Sequence, residues 1–242
     1  MNRLIQDIDF AHRRRWPGRP LSWAARGWLL ASSPSLRLLL IHRIAHWLQA
    51  SVCPRGWRTW LRRLMKISLV LPKWACQVSA KSEISRDFAI DGGVSFSDQG
   101  YIIFAARRTG TGTVIGPRVT FGKSHVDNGV PEIGRNVWIG SDCVVYGAIR
   151  IGDGATLLPG TVLTKSIPAG VVMQGNPARL VLRSFDNSPL RESAEADAVQ
   201  SVEAVRKYHE VAARIYSPPR RPALVEEPFV VREAHHEQQA LS

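Results

Sequence analysis

The sequence predicts a mainly β protein built around a parallel β-helix, and three observations support this prediction. An aliphatic residue recurs every six positions across residues 133–168, and glycine directly follows three of these residues. The 19 glycines and 15 prolines suit a chain with many tight turns. Apolar stripes at helical spacing precede the repeat, and a polar tail follows it.

The six-residue repeat is the strongest signal in the chain. A helix repeats about every 3.6 residues and a half-buried strand every two, so neither produces a sustained period of six. In a parallel β-helix, each short strand turns one aliphatic side chain toward the axis before the chain bends to the next face. An ordinary sandwich of short strands is the alternative, but its turns are not spaced this evenly. The repeating residues are Ile133, Ile139, Val145, Ile151, Leu157 and Leu163.

The same rhythm is found upstream, with two predicted interruptions. Residues 105–113 are rich in glycine, arginine and threonine, and we expect the coil to skip them because they are too polar for its axis. Residues 123–131, KSHVDNGVP, are predicted to leave the coil as a loop, because Asp127 would otherwise point inward. The upstream members of the repeat are Val78, Ile84, Ile90, Phe96, Ile102, Ile115 and Phe121.

Helices are predicted before the repeat. We expect a short helix at Leu4–Phe10 in a basic, weakly ordered segment, and another over Leu21–Ala31. Ser33 then has the form of an N-cap, with Pro34 at the first helical position. One apolar stripe of this third helix comprises Leu36, Leu39, Leu40, Ile44, Trp47 and Leu48.

A further stripe at helical spacing has basic residues on its opposite side. Such a helix fits a membrane surface, although we favour packing of its tryptophans on the next domain or on another subunit. The stripe comprises Trp57, Trp60, Leu61, Leu64 and Met65.

The positive charge of the chain lies in its first third. Residues 1–75 contain 14 lysines and arginines against only Asp7 and Asp9, which accounts for the whole net charge of +12. Because no nucleic-acid-binding motif accompanies this charge, anionic lipid or a partner subunit is the better interpretation.

The remaining features concern the compartment and the C-terminal segment. The three cysteines, Cys53, Cys76 and Cys143, lack metal-ligand spacing and predict a reducing compartment with neither disulfide nor metal. We therefore expect a cytoplasmic protein, with peripheral contact at the inner membrane face as an option.

A helix is predicted at residues 192–216 and a disordered tail at residues 217–242. The predicted domains are a basic helical segment (1–75), the β-helix (76–183) and a C-terminal helix and tail (184–242).

Three motifs together resemble the bacterial serine acetyltransferases, which belong to the hexapeptide-repeat acyltransferases. They are the hexads, the ending TKSIPAGVVMQGNPARLV and the segment SSPSLRLLLIHRIAHWL, and the resemblance covers roughly residues 3–183. It implies a left-handed parallel β-helix that forms a homotrimer or a dimer of trimers. It also implies that acetyl-CoA is the co-substrate, bound between coils beneath a loop.

The catalytic residues of that family do not carry over directly. Its base is a histidine, which can deprotonate a hydroxyl near neutral pH and is oriented by a carboxylate. The ungapped register places Asp98 at the histidine and Ser97 at a substrate-binding aspartate, whereas Glu83 matches the orienting carboxylate. An Arg-His-Pro triplet of the family is replaced here by Gly129-Val130-Pro131. L-serine is therefore disfavoured as the acceptor.

His125 is the replacement base that we hypothesise, because it lies in the loop that should cover the site. Asp127, Asp98 or Glu83 would orient it, and an exposed loop histidine without a role is the alternative.

The residues predicted to bind CoA fall in turns and at basic positions. They are Ser141, Gly147, Gly160, Lys165, Arg179 and Arg183. Three functions remain open at this point: O-acetylation of a sugar hydroxyl in surface polysaccharide synthesis, serine O-acetylation with an altered base, and an inactive trimeric scaffold.

Overall fold

Three short sheets form the three faces of the predicted coil. The structure is a computed structural model that describes residues 2–50, 82–85, 89–123 and 129–192. Face A contains β1 (Ser82–Ile84), β4 (Ile102–Phe104), β7 (Thr120–Gly122), β10 (Val144–Tyr146) and β13 (Val162–Leu163). Face B contains β2 (Ala89–Ile90), β5 (Arg108–Thr109), β8 (Glu132–Ile133) and β11 (Arg150–Ile151). Face C contains β3 (Ser95–Phe96), β6 (Val114–Ile115), β9 (Trp138–Ile139), β12 (Thr156–Leu157), β14 (Val172–Gln174) and β15 (Arg179–Leu182).

Each strand pairs in parallel with the strand one coil away, except that β15 pairs with β14 in antiparallel fashion. Successive strands along the chain lie on faces A, B and C in turn, and the bends between them form three edges, which we name A–B, B–C and C–A. The chain therefore winds around one axis, as the repeat predicts.

The axis is filled by one inward side chain per strand, stacked coil on coil. These side chains are buried and belong to one continuous core. Face A contributes Ile84, Phe104, Phe121, Val145 and Leu163. Face B contributes Ile90, Thr109, Ile133 and Ile151, with Ile167 in an isolated bridge above. Face C contributes Phe96, Ile115, Ile139, Leu157 and Met173.

The predicted interruption at residues 105–113 is wrong. Strand β5 lies within this segment, pairs with both β2 and β8, and turns Thr109 into the axis, where it is fully buried. Threonine has nearly the shape of valine, so it fills the axial position, while Arg107 and Arg108 stay exposed. The coil therefore continues through a segment that looks too polar.

The six-residue spacing of the axial residues changes instead between Phe96 and Phe104. Eight positions separate these axial residues, against six between Ile115 and Phe121 on the corresponding edge. Ile102, which the rhythm assigns to the axis, is buried at the start of β4, but Phe104 pairs with Ile84. The C–A edge is therefore two residues longer at this coil than at the later ones.

The N-terminal segment folds into three helices. They are α1 (Asn2–Arg15), α2 (Trp23–Ser32) and α3 (Pro34–Ala50). The predicted N-cap Ser33 and the first helical residue Pro34 are confirmed. The expectation of weak order before residue 20 is wrong, because α1 buries Asp7, Ile8, Phe10 and His12 against the rest of the molecule.

Helix α3 is buried on more sides than a single apolar stripe predicts. Leu36 packs with Ile8 and Leu29 of the other two helices, whereas Leu38 and Leu39 join the core of the coil. A helix that lies between two layers needs apolar residues on both sides, so Leu38 is buried and Leu40 is only half-buried.

A buried ion pair fixes the helices on the coil. The Asp7 carboxylate of α1 accepts hydrogen bonds from Arg43 Nε of α3 (2.7 Å) and from the backbone N–H groups of Gly93 (2.8 Å) and Val94 (3.2 Å). Arg43 also donates to the carbonyl oxygen of Ile90 (2.8 Å). Burial raises the pKa of Asp7, against the lowering effect of Arg43 and the two N–H groups.

The outer side of face C is covered by the chain itself. Trp138, Leu158 and Val172 pack there with Phe10 of α1 and with Leu190 of α4 (Ser188–Glu192). The described helices include none that is long and apolar enough to cross a membrane. Several predicted features lie outside the described residues: Val78, the stripe from Trp57 to Met65, all of the helix at 192–216 except Glu192, the tail, and the side chains of Trp47 and Leu48.

Candidate active site

The lengthened part of the C–A edge is occupied by Asp98, the residue that the family register aligns with the histidine. The Asp98 carboxylate contacts the helices as well as solvent, because one of its oxygens accepts three hydrogen bonds from the start of α3. The donors are Ser33 Oγ (2.6 Å), Ser35 Oγ (2.7 Å) and the Ser35 N–H (3.1 Å). The extra residues of this edge thus let the carboxylate serve as a second N-cap for the helix.

The second oxygen of Asp98 faces the helices as well. It lies 3.9 Å from Arg15 Nη1, a distance at which a half-exposed pair contributes little. Ser97 is held in a local turn, since its Oγ accepts a hydrogen bond from the Gln99 N–H (3.0 Å). Asp98 therefore joins the coil to the helices, whereas Ser97 and Gln99 bond to each other within their own turn.

A cavity of about 370 Å³ lies beside Asp98, between the helices and the coil. Its floor is apolar, formed by Leu29, Leu36, Leu39, Val94 and Phe96. Its polar lining includes Arg14 and Arg15, and Arg14 Nη1 donates to Ser95 Oγ (2.8 Å). An apolar cavity with a few convergent polar groups is typical of a small-molecule site.

Arg14, Arg15, Ser33 and Ser35 are site residues that the sequence analysis missed. The N-cap at Ser33 was visible in the sequence, but no local signal indicates that its hydroxyl would donate to a carboxylate 65 positions away.

Glu83 is placed apart from this cavity. It lies in β1 on face A, where its side chain is exposed, and it is not among the residues that line the cavity beside Asp98. His125 and Asp127 lie outside the described residues.

The two ends of the segment that carries His125 lie on a different edge from Asp98. Lys123 and Gly129 flank it on the A–B edge, whereas Asp98 lies on the C–A edge. The returning end is tightly packed, because a Cβ at Gly129 would collide with Ala148 of the next coil. Two edges of one triangular coil face away from each other, so the coil itself does not bring these parts together.

The predicted CoA-binding turns are likewise divided between the two edges. Ser141 and Gly160 are neighbours on the C–A edge, where the Gly160 N–H donates to the Ser141 carbonyl oxygen (2.9 Å). Gly147 lies on the A–B edge, beside the loop. Gly147 and Gly160 have φ values of 100° and 75°, a region that other residues rarely adopt.

The turn of the C–A edge that contains Ser141 also holds two groups whose pKa values are shifted, Asp142 and Cys143. The Arg118 guanidinium hydrogen-bonds the Asp142 carboxylate (2.6 and 2.7 Å) and holds its pKa below the usual range. Burial raises the pKa of the Cys143 thiol to about 12, which makes it a poor nucleophile.

A second cavity, of about 540 Å³, lies at the C-terminal end of the coil. Lys165 and Arg183 both line it, together with Pro177 and Ala178 of the GNPAR ending. Its other walls are mainly apolar and include Ile167, Val171, Met173 and Leu180. Arg179 is exposed on β15 and is not among the lining residues. The structure therefore brings two of the three predicted cations together.

The described residues include no cluster of three histidine, cysteine, aspartate or glutamate side chains that could hold a metal ion.

Known proteins match this chain either over a short segment of the coil or over most of its length. Residues 131–165 match the family described as bacterial transferase hexapeptide (six repeats). A serine acetyltransferase of Synechococcus elongatus is 28% identical over 165 residues, covering 66% of this chain and 63% of that protein. The galactoside O-acetyltransferase of Escherichia coli K12 is 45% identical over 49 residues, covering 20% of this chain and 24% of that protein. The chain thus spans less than two thirds of either relative.

Solved structures support the fold over a longer span. The soybean serine acetyltransferase apoenzyme superposes with a TM-score of 0.58 at 26% identity, covering 74% of this chain and 68% of that one. A serine acetyltransferase in complex with CoA has the same fold, with a TM-score of 0.56 at 21% identity over 74% of this chain and 69% of that one. The predicted left-handed parallel β-helix, preceded by helices and followed by a helix, is confirmed. In sequence and in fold, the chain is similar to the serine acetyltransferases, and its residues 131–165 carry the hexapeptide repeat.

Proposed function

We propose that this chain is an acetyl-CoA-dependent O-acetyltransferase whose acceptor is a hydroxyl group other than that of free L-serine. The cavity lined by Lys165 and Arg183 is the observation that carries this proposal. It offers two cations for the phosphates of CoA and an apolar wall for the pantetheine arm. A protein of the same fold has been solved in complex with CoA, which supports the same ligand here.

A sugar hydroxyl in surface polysaccharide synthesis is the acceptor that we favour. One relative is named for acetylating a galactoside. The family positions for recognising serine hold Ser97, Asp98 and Gly129-Val130-Pro131, which lack the histidines and the arginine. Asp98 Oδ1 accepts three hydrogen bonds from the start of α3, so this oxygen has little capacity left for a substrate amine.

The reaction needs a base, an acceptor and a thioester in one place. In our proposal the base removes the proton of the acceptor hydroxyl while its oxygen attacks the thioester carbonyl. The carbon–sulfur bond then breaks, the acetyl group stays on the acceptor oxygen, and the CoA thiolate takes up the proton. Backbone N–H groups at the coil turns are suited to stabilising the oxyanion, because turns present N–H groups that are not all used in the sheets.

The separation of the two edges supports a homotrimer. A complete site would then combine the A–B edge and loop of one copy with the C–A edge of another. The outer side of face A suits the contact, since Ile103, Thr120, Val144 and Val162 form a largely apolar row there. Face B is charged instead, and face C is covered by the chain itself.

Binding of CoA is tested by calorimetric titration of the full-length protein. We expect Lys165→Gln and Arg183→Gln each to weaken the affinity about fivefold, as loss of an exposed charge pair predicts. Arg179→Gln is the matched control, since Arg179 lies outside the cavity. No heat with the wild-type protein, or equal losses for all three variants, would contradict the proposed donor site.

The acceptor is tested by following release of the CoA thiol with a chromogenic thiol reagent. Acetyl-CoA is supplied with L-serine, a galactoside or a nucleotide-linked amino sugar in parallel. We expect turnover with a sugar and none with serine.

Serine acetylation with an altered base is the second candidate, favoured by the similarity to a serine acetyltransferase over 165 residues. Turnover with serine alone would establish it in place of the sugar reaction. CoA binding without turnover on any acceptor would instead indicate an inactive scaffold.

The same assay tests His125. We expect His125→Ala to abolish turnover with the accepted sugar while CoA affinity stays unchanged. His235→Ala, in the C-terminal tail, controls for loss of a histidine elsewhere. Equal rates in both variants would refute His125 as the base.

A further inference from the structure

The corner between α1 and α2 carries an unusual set of side chains, which we name the Arg/Trp patch (residues 13–28). Its sequence, RRRWPGRPLSWAARGW, contains five arginines and three tryptophans and no acidic residue. None of these sixteen residues is buried, so the patch lies at the surface of the described part of the molecule.

The tryptophans of the patch are held at the surface by arginines. Trp23 and Trp28 are 81% and 52% exposed, among the most exposed large apolar side chains of the described residues. The Arg26 guanidinium lies 4.7 Å from the centre of the Trp23 ring, and that of Arg15 lies 5.6 Å from the Trp28 ring. Trp16 packs against Trp28 with 5.4 Å between ring centres.

The charge of the patch is only partly neutralised. Arg26 pairs with Asp9 (3.3 Å), and Arg15 lies near Asp98. Arg13 and Arg19 are exposed and make no ion pair with the described residues. The patch therefore presents indole rings together with uncompensated positive charge.

We propose that the Arg/Trp patch docks the protein on an anionic lipid surface. Indole rings favour the boundary between water and hydrocarbon, because they have an apolar body and a polar N–H. Arginines beside them gain about 1 kcal/mol each near a negatively charged leaflet. This inference does not depend on the acetyltransferase proposal.

Two other occupants fit the patch less well. A second copy that presents the same patch would bring arginines against arginines. Single-stranded nucleic acid is bound in basic grooves that follow its backbone, with bases stacked on open aromatic faces. Here a guanidinium already lies over the rings of Trp23 and Trp28, so these faces are not open for stacking of bases.

Docking would also bring the first cavity close to the membrane. Arg15 contacts the Trp28 ring and at the same time lines the cavity beside Asp98. A hydroxyl acceptor attached to a lipid carrier would then reach the cavity from the surface on which the protein lies.

The test is flotation of the full-length protein with lipid vesicles. The wild type should bind phosphatidylcholine vesicles that contain about 30 mol % phosphatidylglycerol and should not bind pure phosphatidylcholine. Arg13→Gln/Arg19→Gln should weaken binding about 30-fold, as the loss of two membrane-proximal charges predicts. Trp23→Ser/Trp28→Ser should weaken it roughly tenfold, with the remaining binding abolished by about 0.5 M salt.

Matched variants on the coil separate this surface from general effects. Arg107→Gln/Arg108→Gln removes two exposed charges from face B, and Tyr101→Ser removes an exposed ring from the C–A edge. Both should bind vesicles like the wild type, and all variants should keep the wild-type thermal midpoint. Equal binding by patch and control variants would overturn the proposal. So would failure of the wild type to bind anionic vesicles, including the case in which it instead retards a single-stranded oligonucleotide.

Discussion

Asp98→Ala should destabilise the protein, because the carboxylate holds the start of α3 on the coil. The substitution removes the acceptor of three hydrogen bonds, from Ser33 Oγ, Ser35 Oγ and the Ser35 N–H. The first turn of α3 then keeps the cap by Ser33, whose Oγ accepts from the Leu36 N–H (3.4 Å), but loses these three bonds to the lengthened edge.

The size of the effect follows from these contacts. Loss of an N-cap acceptor costs about 1 kcal/mol, and a hydrogen bond to a charged group contributes about 1.5–3 kcal/mol. The side chain of Asp98 is 33% exposed, so water replaces part of what is lost. We therefore expect the free energy of unfolding to fall by about 2 kcal/mol. Asp98→Asn keeps one oxygen acceptor without the charge and should lose about half as much.

Urea denaturation of the full-length protein measures this change. A double-mutant cycle with Ser35→Ala should give a coupling free energy of about 1 kcal/mol, because the two residues share the contact. Glu132→Ala, which removes an exposed pair with Arg107, is the control and should change stability little. Wild-type stability of Asp98→Ala, together with complete loss of turnover, would refute the anchoring role and identify Asp98 as a catalytic residue.

Three further substitutions test the coil and its attachments by the same measurement. Arg43→Met should cost about 3–5 kcal/mol, because it leaves a fully buried carboxylate on α1 without its cation; the wild-type unfolding curve would contradict this. Thr109→Val should stabilise by about 1 kcal/mol, since its buried hydroxyl has no hydrogen-bond partner among the described residues. Thr161→Val should destabilise, because its hydroxyl donates to a carbonyl oxygen; the same sign for both would contradict the reasoning. Gly129→Ala should cost about 1–3 kcal/mol of stability and lower turnover, because the added Cβ would move the loop. Gly122→Ala is the control, since its added Cβ meets open space and should change neither quantity. Equal effects of the two substitutions would show that the loop tolerates displacement.

The coil could be predicted because its signal is repeated. Each of the aliphatic residues from Ile133 to Leu163 occupies the axis, and the period of six is one that neither a helix nor a lone strand produces. The prediction was wrong at residues 105–113, where the axial residue is a threonine. Hydropathy ranks threonine as polar, whereas packing on the axis depends mainly on its branched shape.

The helices could be located from their caps but not placed on the coil. Ser33 and Pro34 mark the start of α3 locally, which is why this boundary was found. The pairing of Asp7 with Arg43 depends on how two helices meet a third element, and no spacing in the sequence encodes it. The length of α1 was underestimated for the same reason, since burial rather than propensity stabilises it.

The candidate site illustrates how a substitution at one position can change the role of its whole neighbourhood. A histidine at position 98 could titrate near neutral pH and take a proton, whereas an aspartate there offers two acceptor oxygens to nearby donors. The structure supplies such donors, because α3 begins opposite the lengthened edge with two serine hydroxyls and an N–H. The carboxylate is thereby used to attach the helices, and the Arg/Trp patch is carried by those helices. A protein that fixes its helices through this corner gains a defined geometry between the patch and the coil, and it must obtain its base from another position, for which His125 is our hypothesis.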